Sequence, residues 1–267
     1  MNIHSHDKEL FERLKEMSFM RVRIGSHLYD MNNEKSDIDY LYLYVKPKSL
    51  TDSFSWEHHQ LQFKEDGMDH NFTDIHSFIR NIMTGDSTIN FEVLHSEEFK
   101  NSAKVKFLYE NRKWFYSYNI IRSYLGLSRR DLKMCTKIRP KTNGINYKKL
   151  YHACRGMRAA EHLMKGAYEN VVSDMLFSKY LREIKEEKIL QCEARDLIRA
   201  TDNCIGATRK ELNTRFENGL MPRVMNVHHM ELLDSWLKGF TDRHQKEFDF
   251  SCRHYYNALE KGIKYDV

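Results

Sequence analysis

At 267 residues, with 41% hydrophobic residues and 12% aromatics, the chain is long enough to bury one sizeable core or two smaller ones, which excludes an intrinsically disordered protein. The net charge of +5 is concentrated: between Ile120 and Ala160 eleven Lys or Arg stand against the single acid Asp131, a distribution suited to polyphosphate or nucleic acid. No apolar run reaches the roughly 18 residues of a membrane span, and the charged start MNIHSHDKELFERLKEM lacks the apolar core of a secretory signal, so no membrane partner and a cytoplasmic location are expected.

Asp7 to Met17 places Leu10, Phe11, Leu14 and Met17 at helical spacing and should pack on a sheet. Phe19 to Ile24 (FMRVRI) reads as a short strand running into Gly25-Ser26, and Ile38 to Val45 (IDYLYLYV) as a second strand. If the strand takes in Ser36 to Val45, Asp37 and Asp39 fall on one face, because side chains alternate along a strand. Two ionised carboxylates side by side repel unless a cation lies between them, which makes them candidate ligands of a divalent metal, magnesium or manganese. Gly25 lets backbone approach a phosphate closely, and Ser26 offers a hydroxyl and an N–H to phosphate oxygens.

Lys46 to Asp66 reads either as an extra strand or as a mobile flap. Gly67 to Phe72 (GMDHNF) serves as a third strand, followed by a helix capped by Asp74, striped by Ile75, Phe78, Ile79, Ile82 and Met83 and closed by Gly85. Thr88 to Leu94 (TINFEVL) is expected as a strand or a turn into one, with Glu92 either catalytic or part of a structural ion pair, and taken as supporting the site from behind. Strand signals fade from Lys100 onward. A helix spans Tyr116 to Leu132, Pro140 and Gly144 mark a loop, and a helix begins near Asn146 with Leu150, Ala153, Met157, Ala160 and Met164 on one face and Lys148, His152 and Arg155 on another. Helices are expected over Phe177–Ile184, Glu187–Leu212 with Gly206 and Gly219 as interruptions, Met230–Lys238, and last over Phe248–Tyr265. The five cysteines are odd in number and form no CxxC, and the fourteen histidines show no ligand spacing, so reduced thiols and no zinc site are expected.

Strand, Gly-Ser, short turn, then DxD on the next strand resembles the DNA polymerase beta type nucleotidyltransferase superfamily. The longer succession GSHLYD, SDIDYLYLYV, GMDHNFTDIHSFIRNIMTGDSTINFEVL and NYKKLYHACRGMRAAEHLMKGAY is similar to the predicted nucleotidyltransferases associated with RNA ligases, whose later helix carries KxxxHxxR, matched here by Lys148, His152 and Arg155. The resemblance implies an α+β fold: a small mixed β-sheet nucleotidyltransferase core flanked by helices (1–105), then a C-terminal helical bundle with a basic segment (106–267). It implies a third carboxylate that helps hold metal and takes the proton of the attacking hydroxyl. Asp69 is the choice, ahead of Glu65, Asp66 and Asp74. The expected site is therefore Asp37, Asp39 and Asp69 as catalytic and metal-binding residues, with Gly25, Ser26, Lys148, His152 and Arg155 on the nucleotide. An NTP would give its NMP to a hydroxyl, an RNA end first. A protein hydroxyl, or a nucleotide- or nucleic-acid-binding module without turnover, are the alternatives. The chain departs from the resembled pattern at Asp30, where glycine is usual, at Tyr42, and in STINFEVL.

Overall fold

The computed structural model describes residues 5–32, 36–47, 60–135, 144–172, 175–245 and 264–266. Its elements fall into two compact units, one of Met1–Asn81, Ser96–Phe107 and Val227–Val267, the other of Ile82–His95 and Leu108–Asn226. The fold is α+β, a small mixed sheet accompanied by helices that dominate the C-terminal half.

In the first unit α1 (Ser5–Met17) leads directly into β1 (Ser18–Ile24), whose Met20, Val22 and Ile24 are buried while Arg21 and Arg23 are exposed, the alternation of a strand with one covered face. β2 (Asp39–Tyr44) lies beside β1 antiparallel and beside β4 (Met68–Asp74) parallel, and β3 (Gln60–Glu65) pairs antiparallel with β4. β5 (Lys264–Asp266) adds to β3 in parallel, giving the order β1-β2-β4-β3-β5. The β3–β4 connection is Asp66-Gly67, with φ of +50° and +80°. Two positive φ values in a two-residue Asp-Gly loop give the turn whose twist matches a hairpin. The Lys46–Asp66 stretch thus ends in a strand, and its residues 48–59 lie outside those described.

Leu10, Phe11 and Leu14 of α1 cover one sheet face, packing on Tyr42, Tyr44, Leu61, Phe63 and Phe72. At the end of β4, Asp74 Oδ1 accepts from the N–H groups of His76 and Ser77 at 3.1 Å each and caps α2 (Ile75–Thr84) as expected. The Phe78 ring of α2 stacks on Phe99 of α4 (Glu97–Asn101).

The expected strand at Thr88–Leu94 is instead a helix, α3 (Thr88–Val93). Ser87 accepts from the Asn90 N–H at 3.2 Å and opens the turn, and six residues, all buried but Ile89, carry too little periodicity to separate strand from helix. After the short α5 (Lys106–Glu110) come α6 (Tyr118–Cys135), α7 (Tyr147–Met164), α8 (Met175–Lys185) and α9 (Gln191–Glu217). Asn146 caps α7 through the Lys149 N–H. At Gly156 a Cβ would stand 2.5 Å from Ser128 Oγ, so α6 and α7 cross at a separation that a larger residue would prevent.

Several helix bounds differ from expectation. α9 starts at Gln191, not at Glu187, because Glu187 takes φ +60° after α8, a conformation that ends a helix. Gly206 lies within α9, and Gly219 at φ +68° follows its end. α10 (Val227–His244) is longer than Met230–Lys238 and belongs to the first unit, where Phe240 meets Phe19 and Trp236 stacks on Phe107. The helix expected over Phe248–Tyr265 falls on 248–263, outside the described residues, and on Lys264 and Tyr265, which are in β5. Among the described residues, no helix is long and apolar enough to cross a membrane, and Cys135, Cys154, Cys192 and Cys204 are free thiols.

Candidate active site

Three neighbouring strands bring Gly25, Asp39 and Asp69 to one level. Ile24, the last residue of β1, pairs with Asp39, and Asp39 pairs with Asp69 of β4. Partners at one level of a sheet point to the same side, so Asp39 and Asp69 share the face opposite α1. The alternation confirms the side, since Tyr42, Tyr44 and Phe72, at odd spacing from the two acids, pack under α1. Asp37 is exposed and lies outside β2, which begins at Asp39 and not at Ser36, so strand alternation does not set its side as expected.

The turn beside these acids depends on glycine twice over. Gly25 has φ +67°, and a Cβ there would lie 2.8 Å from Asp39 Oδ2. Ser26 follows it in a 3-10 turn over Gly25–His27, in which the Leu28 N–H donates to the Gly25 carbonyl at 3.2 Å and the Met31 N–H to the Ser26 carbonyl at 2.9 Å. Gly25→Ala should therefore both strain the backbone, by about 1–2 kcal/mol, and push the Asp39 carboxylate out of place. The expected outcome is a modest fall in Tm with a much larger fall in turnover, checked by thermal unfolding beside a nucleotide-labelling assay. Asp30, which stands where the resembled pattern has glycine, keeps φ +53°. Aspartate is among the few residues that enter this region readily, so the turn survives the substitution. Tyr42, the other departure, belongs to the opposite face, its hydroxyl 3.1 Å from His70 Nδ1.

The rival acids have other places. Glu65 lies on the α1 face, 3.4 Å from Lys15 Nζ and 4.0 Å from His70 Nε2. Asp66 forms the hairpin turn and Asp74 caps α2. A group passed over in the sequence is Lys64, the register partner of Asp69 on β3 and exposed. Its place was readable, because an Asp66-Gly67 turn sets 65 against 68 and hence 64 against 69.

The remaining expected residues lie in the helical unit on α7. Lys148 is exposed, and His152 and Arg155 are half-buried. Arg155 Nη1 donates to Glu92 Oε1 at 2.7 Å, and the Tyr124 hydroxyl donates to the same oxygen at 2.9 Å. Of the two roles open to Glu92, it takes that of a structural ion pair. Asp131, the single acid of the basic run, takes the Lys149 ammonium at 3.1 Å. Burial first, and then the Arg155 charge, hold His152 down at about 4 from an ordinary 6.5, so at neutral pH it is an uncharged imidazole. Between those values the unfolded chain binds a proton that the folded chain refuses, and stability falls as pH drops from about 6.5 to about 4. His152→Gln should flatten that slope in urea titrations at pH 7 and pH 5.

Carboxylates are hard oxygen donors of the kind that magnesium and manganese take, and Asp39 with Asp69 supplies two at adjacent register positions. Among the described residues, no three His, Cys, Asp or Glu side chains converge into a metal-holding group. Magnesium is commonly held by one or two carboxylates together with substrate phosphates, not by an all-protein cage, and the donor set fits that mode.

Residues 4–231 match a family described as the RNA repair pathway DNA polymerase beta family. The match takes in both acid-bearing strands and the Lys148–Arg155 helix. No curated protein matches the chain.

Proposed function

Since the chain belongs to the RNA repair pathway DNA polymerase beta family, we propose that it is a metal-dependent nucleotidyltransferase that moves an NMP from an NTP to a hydroxyl, an RNA end in the first place. The observation that carries this reading is the register of Asp39 with Asp69 beside the Gly25 turn. In the proposed reaction the acceptor oxygen attacks the α-phosphorus, the bond between α- and β-phosphates breaks, and pyrophosphate leaves. Asp69 takes the acceptor's proton. Asp37, Asp39 and Asp69 would hold magnesium or manganese, which when bound supplies charge neutralisation on the phosphates. Gly25 and Ser26 receive the phosphates on backbone N–H and hydroxyl groups.

Residues 1–105 carry this chemistry, and 106–267 the phosphate-binding helix. On that helix phosphate contact falls first to Lys148, exposed and charged, since His152 is neutral and Arg155 is engaged by Glu92. A cytoplasmic location accords with the reduced thiols.

The test is to incubate the protein with each labelled NTP, magnesium or manganese, and separate RNA and protein acceptors. Label should pass to RNA, with pyrophosphate released, and chelation by EDTA should stop it. Label on protein tyrosine or serine would move the reading to a protein-modifying enzyme. Saturable NTP binding without label under any condition would leave a binding module and overturn the proposal.

A further inference from the structure

Outside the basic run of 120–160, six side chains of the helical unit gather as a strip of rings and cations in two groups, Lys113, Tyr168 and Tyr116 in one and Tyr118 with Phe216 in the other, with Arg215 within electrostatic reach of Tyr116. Lys113 Nζ lies 5.6 Å from the centre of the Tyr168 ring. Tyr168 meets Tyr116 edge to face at 5.1 Å, and Tyr116 lies within electrostatic reach of Arg215. Phe216, next in sequence, has its ring 4.6 Å from that of Tyr118. These residues come from three separate places, the segment from Lys113 into α6, the turn at Tyr168–Val171 and the end of α9, so the fold and not one helix's sequence assembles them.

The strip is both accessible and braced. Lys113 and Phe216 are exposed, while Tyr116, Tyr118 and Tyr168 are half-buried. Arg215 donates from Nη1 to the Met164 carbonyl at 2.7 Å and from Nη2 to Glu211, and the Tyr118 hydroxyl donates to Asn213 Oδ1 at 3.0 Å. Held in this way, flat groups lose little freedom when a ligand settles on them. Burial pushes Tyr116 up to about 12, so its ring stays neutral. Rings and guanidinium planes offer stacking surface to any unpaired base, and neighbouring cations meet its phosphates. A duplex cannot use such a surface, because its bases are already stacked on one another.

We propose that this strip binds a single-stranded segment of RNA, with bases stacking on Tyr168, Tyr116 and Phe216 and phosphates meeting Lys113. The proposal rests on the reading of RNA as acceptor and says where the helical unit grips it. A fluorescence-anisotropy titration with a short unstructured oligouridylate, without NTP, tests it on the wild type, Tyr168→Ala, Tyr168→Phe and Lys113→Ala. Tyr168→Ala should weaken binding about tenfold or more, and Tyr168→Phe should bind as the wild type does. Lys113→Ala should lower the slope of log affinity against log salt by about 0.7. Should Tyr168→Ala fail to fold, the exposed Lys113 still reports on the strip. Unchanged affinity and salt slope, or an RNA duplex binding as tightly as the single strand, would overturn the proposal. RNA labelling with binding that the variants leave intact would sink the platform alone. Variant-sensitive binding with no labelling by any NTP would sink nucleotidyl transfer alone.

Discussion

An Asp39→Asn variant should lose nucleotidyl transfer by at least about 10³-fold and yet unfold at the same temperature as the wild type or slightly above it. Both halves follow from one fact of register, that Asp39 lies directly beside Asp69 with the Gly25 turn close against its carboxylate. Like charges at cross-strand positions destabilise a sheet by roughly 0.2–1 kcal/mol, and the amide removes that repulsion while keeping the shape. The same change takes away an anionic oxygen and puts an N–H donor where a cation should bind. Magnesium should therefore raise the Tm of the wild type, by preferential binding to the folded state, and do much less for the variant. Parallel labelling assays and unfolding scans with and without magnesium check this. Full labelling activity in Asp39→Asn would remove the metal-binding role from this residue and with it the proposed site.

The second large effect is on stability. Glu92→Ala should cost about 3–5 kcal/mol, the penalty for leaving a buried charge without its partner. Glu92 is completely buried, and its Oε1 accepts from both Arg155 and Tyr124. Removing it takes from the Arg155 guanidinium and the Tyr124 hydroxyl the acceptor that they share within the helical unit. Exchanging both charged partners for apolar residues of similar volume, Glu92→Leu with Arg155→Met, should recover most of that loss, since a well-packed apolar pair often equals a buried ion pair. Chemical denaturation of the single and double variants measures the difference. A Glu92→Ala protein as stable as the wild type would show that the pair contributes nothing to the helical unit.

What could be read from the sequence is mostly local. The strand leading into Gly25-Ser26, the alternating DYLYLY, the Asp74 cap, the helix start near Asn146 and the α7 stripe each follow from residues a few positions apart. Misreadings arose where a single residue decided the matter, by its side-chain cap at Ser87 and by its backbone at Glu187. Ser87 turned TINFEVL into a helix, and the left-handed Glu187 delayed the start of α9. The partnership of Arg155 with Glu92 spans 63 positions, and the sequence could suggest that Glu92 is paired but not with what. Lys64 could have been placed had the Asp66-Gly67 hairpin been carried through to its register. The ring-and-cation strip could not, because three distant segments contribute to it and none carries a motif.

β5 has a bearing on how this protein can be shortened. β3 has two neighbours in the sheet, β4 on one side and the three residues of β5 on the other. A chain ending after α10 keeps every residue of the proposed chemistry, yet it uncovers the outer side of β3 and leaves a row of backbone donors and acceptors facing water. Such a row is a template for pairing with another copy. Solubility of a trimmed protein will therefore depend on its last few residues more than on the acids that define its site.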